Sequence, residues 1–215
     1  MIILFDLDGT LIDSTDAIVG TFHHSFEVHG FTKPDDEEIK ALIGYPLHIM
    51  YKELGVSEDD IWDFVHTYKE EYRKISTIKT KLLASAVEAV EEASKFAKLG
   101  IVTTKTGKYS KILMQHFDLM KYFDVLVGFE DVDNPKPHQE PILKALESFD
   151  KNCEEIWMIG DTKLDIICAN NAGVKSAAVL SGYGKKEELE AFTNNIFNDV
   201  LEVIYHINEY KNYKI

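Results

Sequence analysis

The chain opens with MIILFDLDGTLIDS, residues 1–14, in which an apolar run ends abruptly in carboxylates. Residues 2–5 are continuously apolar with no polar face, a pattern typical of a central strand in a parallel sheet that is covered on both sides. Asp6 would then lie at the C-terminal tip of that strand, where open α/β sheets bind their ligands. Asp8 follows two residues later and returns to the same side of an extended chain, so both carboxylates can face one small site.

Two ionised carboxylates in one small site repel each other. At about 4 Å the repulsion is about 4 kcal/mol for an effective dielectric of about 20, so Asp6 and Asp8 need a shared proton or a cation. The pair Asp8-Gly9 also has a simpler interpretation as a turn after a strand, because Asp-Gly pairs commonly mark turns. Features elsewhere in the chain distinguish the two interpretations.

The composition is that of an ordinary globular protein. The chain has 215 residues, of which 45% are apolar and 28% charged, enough for one large domain or two small ones. Its 37 acidic and 23 basic residues give a formal charge of −14, which argues against a nucleic-acid or anionic-membrane surface. An anionic substrate would need local positive charge. No apolar run approaches the ~18 residues of a membrane span, and no basic leader precedes the first strand, so we expect a cytoplasmic protein.

Residues 15–80 carry helical patterns and no strand pattern. Ile18, Phe22 and Phe26 recur at helical spacing, and Gly30 ends that run. Further along, an apolar stripe over residues 61–75 keeps helical register for about four turns. Four consecutive helices with apolar stripes of their own predict a small helical domain.

From about Leu82 the pattern changes to alternating helices and strands. Strands are predicted at residues 99–103, 124–128, 156–160 and 175–180, with helices between them and near residues 186–192 and 200–210. Such alternation implies right-handed crossovers and a parallel sheet. Because the helical block separates the first strand from the others, we predict a doubly wound, Rossmann-like α/β core formed by residues 1–14 and 82–215. The inserted helical cap would span residues 15–81.

The tips of two other predicted segments carry polar residues that should meet Asp6. Thr103 and Thr104 end the second strand, and the helix after them has free N–H groups that favour an anion. Lys136 lies between two prolines, which stiffen its loop and present the ammonium at the start of a helix. Each feature is commonplace alone. Its predicted position at the same edge of the sheet as Asp6 makes it a candidate part of the site.

The strand at residues 156–160 ends in a glycine followed by two carboxylates four residues apart. Asp161 would lie at the strand tip and Asp165 in the first turn of the next helix. In isolation Asp161 is also interpretable as the N-cap of that helix. Four carboxylates in one crevice would repel strongly without a divalent cation, and carboxylates with water are the ligands that Mg²⁺ prefers.

Four segments together resemble the motifs of the haloacid dehalogenase superfamily of phosphatases and phosphomutases, in that family's order. They are DLDGTL at residues 6–11, TTK at 103–105, PKPHQEP at 135–141, and GDTKLD at 160–165 with CANNAG after it. Two positions depart from the family pattern. Thr104 stands where many relatives have Asn, and Gln139 replaces a proline.

The resemblance implies a phosphatase with an aspartyl-phosphate intermediate. Asp6 would attack phosphorus, and Asp8 would protonate the leaving oxygen and then deprotonate water. We expect Asp6 to be a surface carboxylate that contributes little to the core. The phosphate would be bound by Thr103, Thr104 and Lys136, and Mg²⁺ would be held by Asp6, Asp8 through its backbone carbonyl, Asp161 and Asp165.

Several functions share this framework. A dehalogenase needs neither an acid at the second position nor Mg²⁺, so Asp8 and Asp161 argue against it, and the intact set of residues argues against a non-catalytic binding protein. A β-phosphoglucomutase-like phosphomutase shares every motif and stays an alternative. The cap position and the Asp13-Ser14 pattern look most like phosphoglycolate phosphatases and the related pyrophosphatases.

We therefore predict hydrolysis of a small phosphorylated metabolite resembling phosphoglycolate, with inorganic pyrophosphate as a further alternative. We expect neither a nucleic-acid partner nor a membrane partner, and a monomer or homodimer. The cap should act as a lid, with residues 44–50 and Arg73 reaching the far end of the substrate.

Overall fold

The computed structural model describes residues 1–150, 153 and 155–212. Its main sheet has six parallel strands in the order β5-β4-β1-β6-β7-β8. Their bounds are β1 Ile2–Phe5, β4 Lys98–Val102, β5 Phe123–Val127, β6 Ile156–Gly160, β7 Lys175–Val179 and β8 Ile196–Phe197. The predicted α/β fold is confirmed. Because β1 lies between β4 and β6, the strand order reverses there, and the crevice of a doubly wound sheet opens beyond its C-terminal end.

Alternate residues of β1 supply the cores on the two faces of the sheet. Ile3 and Phe5 pack with α5 (Ala86–Ser94), α6 (Gly107–His116) and α10 (Val200–Asn212). Ile2 and Leu4 pack with α7 (Glu140–Leu146) and α8 (Lys163–Ala172) on the opposite face. The short helix α9 (Lys186–Leu189) follows β7. A strand buried on both sides explains why the opening run is apolar without alternation.

The inserted segment consists of α1 (Thr15–Val28), α2 (Asp36–Lys40), α3 (Leu47–Glu53) and α4 (Ile61–Lys79). These helices bury an aromatic cluster of their own that includes Phe22, Tyr51, Phe64, Tyr68 and Tyr72. Phe22 and Tyr51 have ring centroids 4.6 Å apart. We refer to residues 15–81 as the cap; their division from the core as a separate domain stays a prediction.

The two connections between the cap and the core form a small antiparallel pair that the sequence patterns did not reveal. It pairs β2 (Ile12–Asp13) with β3 (Lys81–Leu82). Strands of two residues are too short to show periodicity. The chain therefore leaves and re-enters the core at adjacent positions.

From the sequence, Val87, Val90 and Ala97 mark the predicted helix before the second strand of the sheet, and the observed helix α5 differs from this prediction. Val87 is 39% exposed, and Ala97 lies beyond the end of α5 at Ser94. The buried face of α5 is formed by Ala86, Ala89, Val90 and Ala93. Of the three predicted residues, Val90 alone lies on this face, and small alanines fill the rest of it. Among the described residues, no helix is long and apolar enough to cross a membrane.

Candidate active site

The predicted strand tips converge on one buried site. Asp6 directly follows β1, and its backbone N–H donates to the Ile159 carbonyl at 2.9 Å. Carboxylate oxygens of Asp6, Asp161 and Asp165 lie within 4.8 Å of one another, and all three residues are buried. Asp6 is only 4% exposed, so the expectation of a surface carboxylate was wrong. The sheet places it inside because the adjoining strands and the Lys136 loop close over its tip.

Lys136 places a positive charge among these three carboxylates. Its Nζ lies 2.8 Å from Asp6 Oδ1 and 2.5 Å from Asp165 Oδ1, and it donates to the Val102 carbonyl at 3.1 Å. Lys136 itself is 4% exposed. The proline-flanked loop therefore delivers the ammonium between two motifs that are far apart in the sequence.

Hydrogen bonds fix the two carboxylates after β6. Thr162, not Asp161, is the N-cap of α8, and its backbone N–H and hydroxyl donate to Asp165 Oδ2 at 3.0 and 2.7 Å. Asp161 is consequently outside the helix. Its Oδ2 accepts from the Tyr183 backbone N–H at 2.8 Å, and its Oδ1 accepts from the Thr10 hydroxyl at 3.4 Å.

Two glycines allow loop backbones to approach Asp161 closely. A Cβ added at Gly9, where φ is +81°, would lie 2.3 Å from Asp161 Oδ2, and one at Gly182 would lie 2.1 Å from the same atom. Any side chain at either position would displace the carboxylate. The Gly182–Tyr183 loop was not predicted from the sequence, where the local signal is the pair of glycines in SGYG at residues 181–184.

Asp8 is held from two sides. The Ser14 hydroxyl donates to Asp8 Oδ1, and Lys105 Nζ lies 3.0 Å from Asp8 Oδ2. Lys105 also donates to the Tyr72 hydroxyl of the cap at 2.9 Å. The sequence analysis assigned Lys105 no role, although it directly follows the Thr103-Thr104 pair at a strand tip. The structure makes it a link between Asp8 and the cap.

The two threonines after β4 have different partners. Thr103 is buried, and its hydroxyl accepts from the Lys105 backbone N–H at 3.2 Å. The Thr104 hydroxyl donates to the Gly44 carbonyl of the cap at 2.8 Å. The hydroxyl proton of Thr104 is thus directed toward the cap. Phosphate binding by Thr103 and Thr104 stays a prediction.

Some of the predicted cap residues lie at the site and others do not. A cavity between the cap and the core is lined by Asp8 and by several residues of the 44–50 segment, including Gly44 and His48. Arg73 is exposed and does not line this cavity, whereas Lys69, one helical turn earlier on α4, does. The prediction that Arg73 reaches the substrate was wrong, because helical register alone does not show which turns of α4 lie against the core.

The electrostatics of the site favour a bound cation. Burial, followed by repulsion from Asp165 and Asp8, raises the pKa of Asp6 to about 7 in spite of the attraction of Lys136. Burial, followed by repulsion from Asp165 and Asp6, also raises the pKa of Asp161 well above its ordinary range. Burial opposes the charge of Lys136, but Asp165 and Asp6 outweigh it and raise its pKa. Three carboxylates share one ammonium, and their closely spaced oxygen donors fit a hard divalent cation such as Mg²⁺.

Comparison with known proteins agrees with this arrangement. Residues 3–179 match the family described as haloacid dehalogenase-like hydrolases. The chain belongs to this family. The matched residues include all four motifs. The haloacid dehalogenase-like assignment made from the sequence is confirmed.

Relatives and solved structures extend the similarity over nearly the whole chain. The chain is 33% identical over 211 residues to the pyrophosphatase PpaX of Bacillus cereus strain G9842, covering 96% of this chain and 97% of that protein. A haloacid dehalogenase-like family hydrolase from Streptococcus pneumoniae has a TM-score of 0.86 at 29% identity, covering 96% of this chain and 97% of that one.

A predicted phosphoglycolate phosphatase from Haemophilus somnus shares the fold, with a TM-score of 0.87 at 20% identity over 96% of this chain and 97% of that one. The family assignment makes the chain a phosphatase of the haloacid dehalogenase type. The names of the relatives divide between pyrophosphatase and phosphoglycolate phosphatase.

Proposed function

We propose that this chain is a Mg²⁺-dependent phosphatase that hydrolyses a small phosphate monoester through an aspartyl-phosphate on Asp6. One observation carries the proposal: Asp6 is buried at the tip of the central strand, 2.8 Å from Lys136 Nζ, and Asp8 lies two residues away with partners on both sides. A nucleophile and an acid–base group are thereby held close together, Asp6 beside the ammonium of Lys136 and Asp8 beside that of Lys105.

In the first step an oxygen of Asp6 attacks phosphorus, and the bond from phosphorus to the leaving oxygen breaks. Lys136 holds Asp6 Oδ1, so we assign Oδ2 to the attack. Protonated Asp8 gives its proton to the leaving oxygen, which departs as an alcohol. Lys136 and the Thr103 hydroxyl bind phosphoryl oxygens and offset their charge.

In the second step ionised Asp8 removes a proton from water, and the resulting hydroxide attacks phosphorus. The bond from phosphorus to Asp6 breaks, so inorganic phosphate leaves and both carboxyl groups return to their starting states. Asp6, the Asp8 backbone carbonyl and Asp161 would hold Mg²⁺, with Asp165 orienting these ligands. When bound, Mg²⁺ supplies charge neutralisation at the phosphoryl oxygens.

A phosphoglycolate-like ester is our first candidate substrate, because the cavity that Asp8 lines between the cap and the core has a volume of about 70 Å³, which suits a small leaving group. The similarity to PpaX favours inorganic pyrophosphate as a second candidate. A phosphomutase acting on β-glucose 1-phosphate is the third. We prefer hydrolysis because the Ser14 hydroxyl bonds Asp8 directly and so keeps the base in place to activate water. The absence of nucleic-acid and membrane partners, and a monomeric or homodimeric state, stay predictions.

A phosphate-release assay on a substrate panel tests this function. With Mg²⁺ we expect hydrolysis of phosphoglycolate or pyrophosphate in preference to hexose phosphates and nucleotides, and loss of activity when EDTA removes the metal, reversed by added Mg²⁺. The expected loss follows from the repulsion among Asp6, Asp161 and Asp165. Full activity in EDTA would contradict the metal requirement, and conversion of β-glucose 1-phosphate to glucose 6-phosphate with negligible phosphate release would make the protein a mutase.

A further inference from the structure

The cavity beyond Asp8 has mainly apolar walls. Met50, Val65 and Tyr68 line it from the cap, and Tyr109 and Phe129 line it from the core. A leaving group bound at Asp8 would lie in this cavity, because Asp8 is one of the residues that line it. Apolar walls hold charged groups poorly unless an opposite charge is placed among them. The charged residues in the lining therefore determine which leaving groups fit.

The charged lining residues are Asp8, Lys69 and Lys105. Lys105 Nζ lies 3.0 Å from Asp8 Oδ2, so the charge of Lys105 already has a partner. Among the described residues, by contrast, no carboxylate oxygen lies within 4.0 Å of Lys69 Nζ. His48 also lines the cavity, but burial lowers its pKa and so disfavours a charge on its ring. Lys69 is thus the uncompensated charge of the described lining, in a chain whose net charge is −14.

The position of Lys69 is fixed relative to the core. It lies half-buried on α4, and its backbone carbonyl accepts a hydrogen bond from the Tyr109 hydroxyl of α6 at 3.4 Å. This contact ties one turn of the cap to the core across the cavity. Holding the backbone in place lowers the entropic cost of pairing the long Lys69 side chain with a ligand.

We propose that Lys69 selects substrates whose leaving group carries a second anionic group. Its ammonium pairs with that anion while the phosphoryl group lies at Asp6, and the apolar walls contact a short spacer between the two charges. This inference rests on the proposed phosphatase function. A carboxylate, as in phosphoglycolate, and a second phosphate, as in pyrophosphate, share the required chemistry.

The test compares Lys69→Met and Lys69→Arg with the wild-type protein on phosphoglycolate, pyrophosphate and the neutral ester 2-hydroxyethyl phosphate. Lys74→Met is the matched control, since Lys74 lies on the same helix in an exposed pair with Glu71. We expect Lys69→Met to lower the preference for the charged substrates over the neutral ester, expressed as a ratio of kcat/KM, by about 10- to 100-fold. The loss should fall mainly on KM, and Lys69→Arg should recover most of it.

The two charged substrates distinguish the group that pairs with Lys69. A larger loss of kcat/KM on phosphoglycolate indicates a carboxylate, and a larger loss on pyrophosphate indicates a phosphate. An unchanged preference in Lys69→Met, with all three substrates still hydrolysed, would overturn the role of Lys69 and leave the phosphatase function intact. Failure of the wild-type protein to hydrolyse any of the three with Mg²⁺ would overturn both proposals.

Discussion

Asp6→Asn is expected to abolish phosphate release, by at least about 10³-fold, because an amide cannot form the covalent intermediate. The variant should remain folded. Lys136 keeps its contact with Asp165 at 2.5 Å, and the amide oxygen of Asn can still accept from the ammonium. Burial also makes the ionised form of Asp6 costly, as its raised pKa of about 7 indicates, so a neutral isostere relieves repulsion.

Phosphate release and thermal unfolding, measured on the same preparation, check this expectation. Asp16→Asn is a matched control, since Asp16 is an exposed carboxylate on α1. Both variants should unfold near the wild-type temperature, and only Asp6→Asn should lose activity. Retention of most of the wild-type rate by Asp6→Asn would show that the nucleophile is another group.

Lys136→Met should lose both activity and stability. Removing the ammonium leaves Asp6 and Asp165 buried without their cation, and breaking a buried ion pair by deleting one partner costs about 3–5 kcal/mol. Urea unfolding in EDTA measures this cost without a contribution from metal.

Lys144→Met provides the comparison for Lys136→Met. Lys144 lies on the nearby helix α7 and pairs with Glu147 at 2.9 Å on the surface, and such pairs contribute about 0–1 kcal/mol. We therefore expect the free energy of unfolding to fall substantially in Lys136→Met alone. Equal unfolding midpoints for the two variants would contradict the assignment of Lys136 as the charge that holds the carboxylates together.

The fold was predictable where the sequence has strong periodicity. Alternating helices and strands after Leu82 gave the parallel sheet, and the predicted strand at residues 156–160 coincides with β6. The short strands β2, β3 and β8 were missed, because two residues cannot display a period. Tertiary pairing alone creates them.

The grouping of the site residues was predictable from the sequence, but the contacts that link them to the cap were not. Topology brings the ends of β1, β4 and β6 together, so Asp6, Thr103 and Asp161 could be grouped from the sequence. The contacts of Lys105 with Asp8 and Tyr72 depend on how the cap packs against the core. The same holds for Lys69, which occupies the position in the cavity that the sequence analysis gave to Arg73.

Trapping of a phosphoryl group on Asp6 tests the central claim most directly. Asp8→Asn removes the base that activates water, and p-nitrophenyl phosphate has a leaving group that needs no acid, so the intermediate should accumulate. After an acid quench and digestion with pepsin at low pH, mass spectrometry of the peptide that contains Asp6 should show one added phosphoryl group, located on Asp6 and absent from the Asp6→Asn, Asp8→Asn double variant. An unmodified Asp6 in a protein that continues to release phosphate at the wild-type rate would contradict the covalent mechanism.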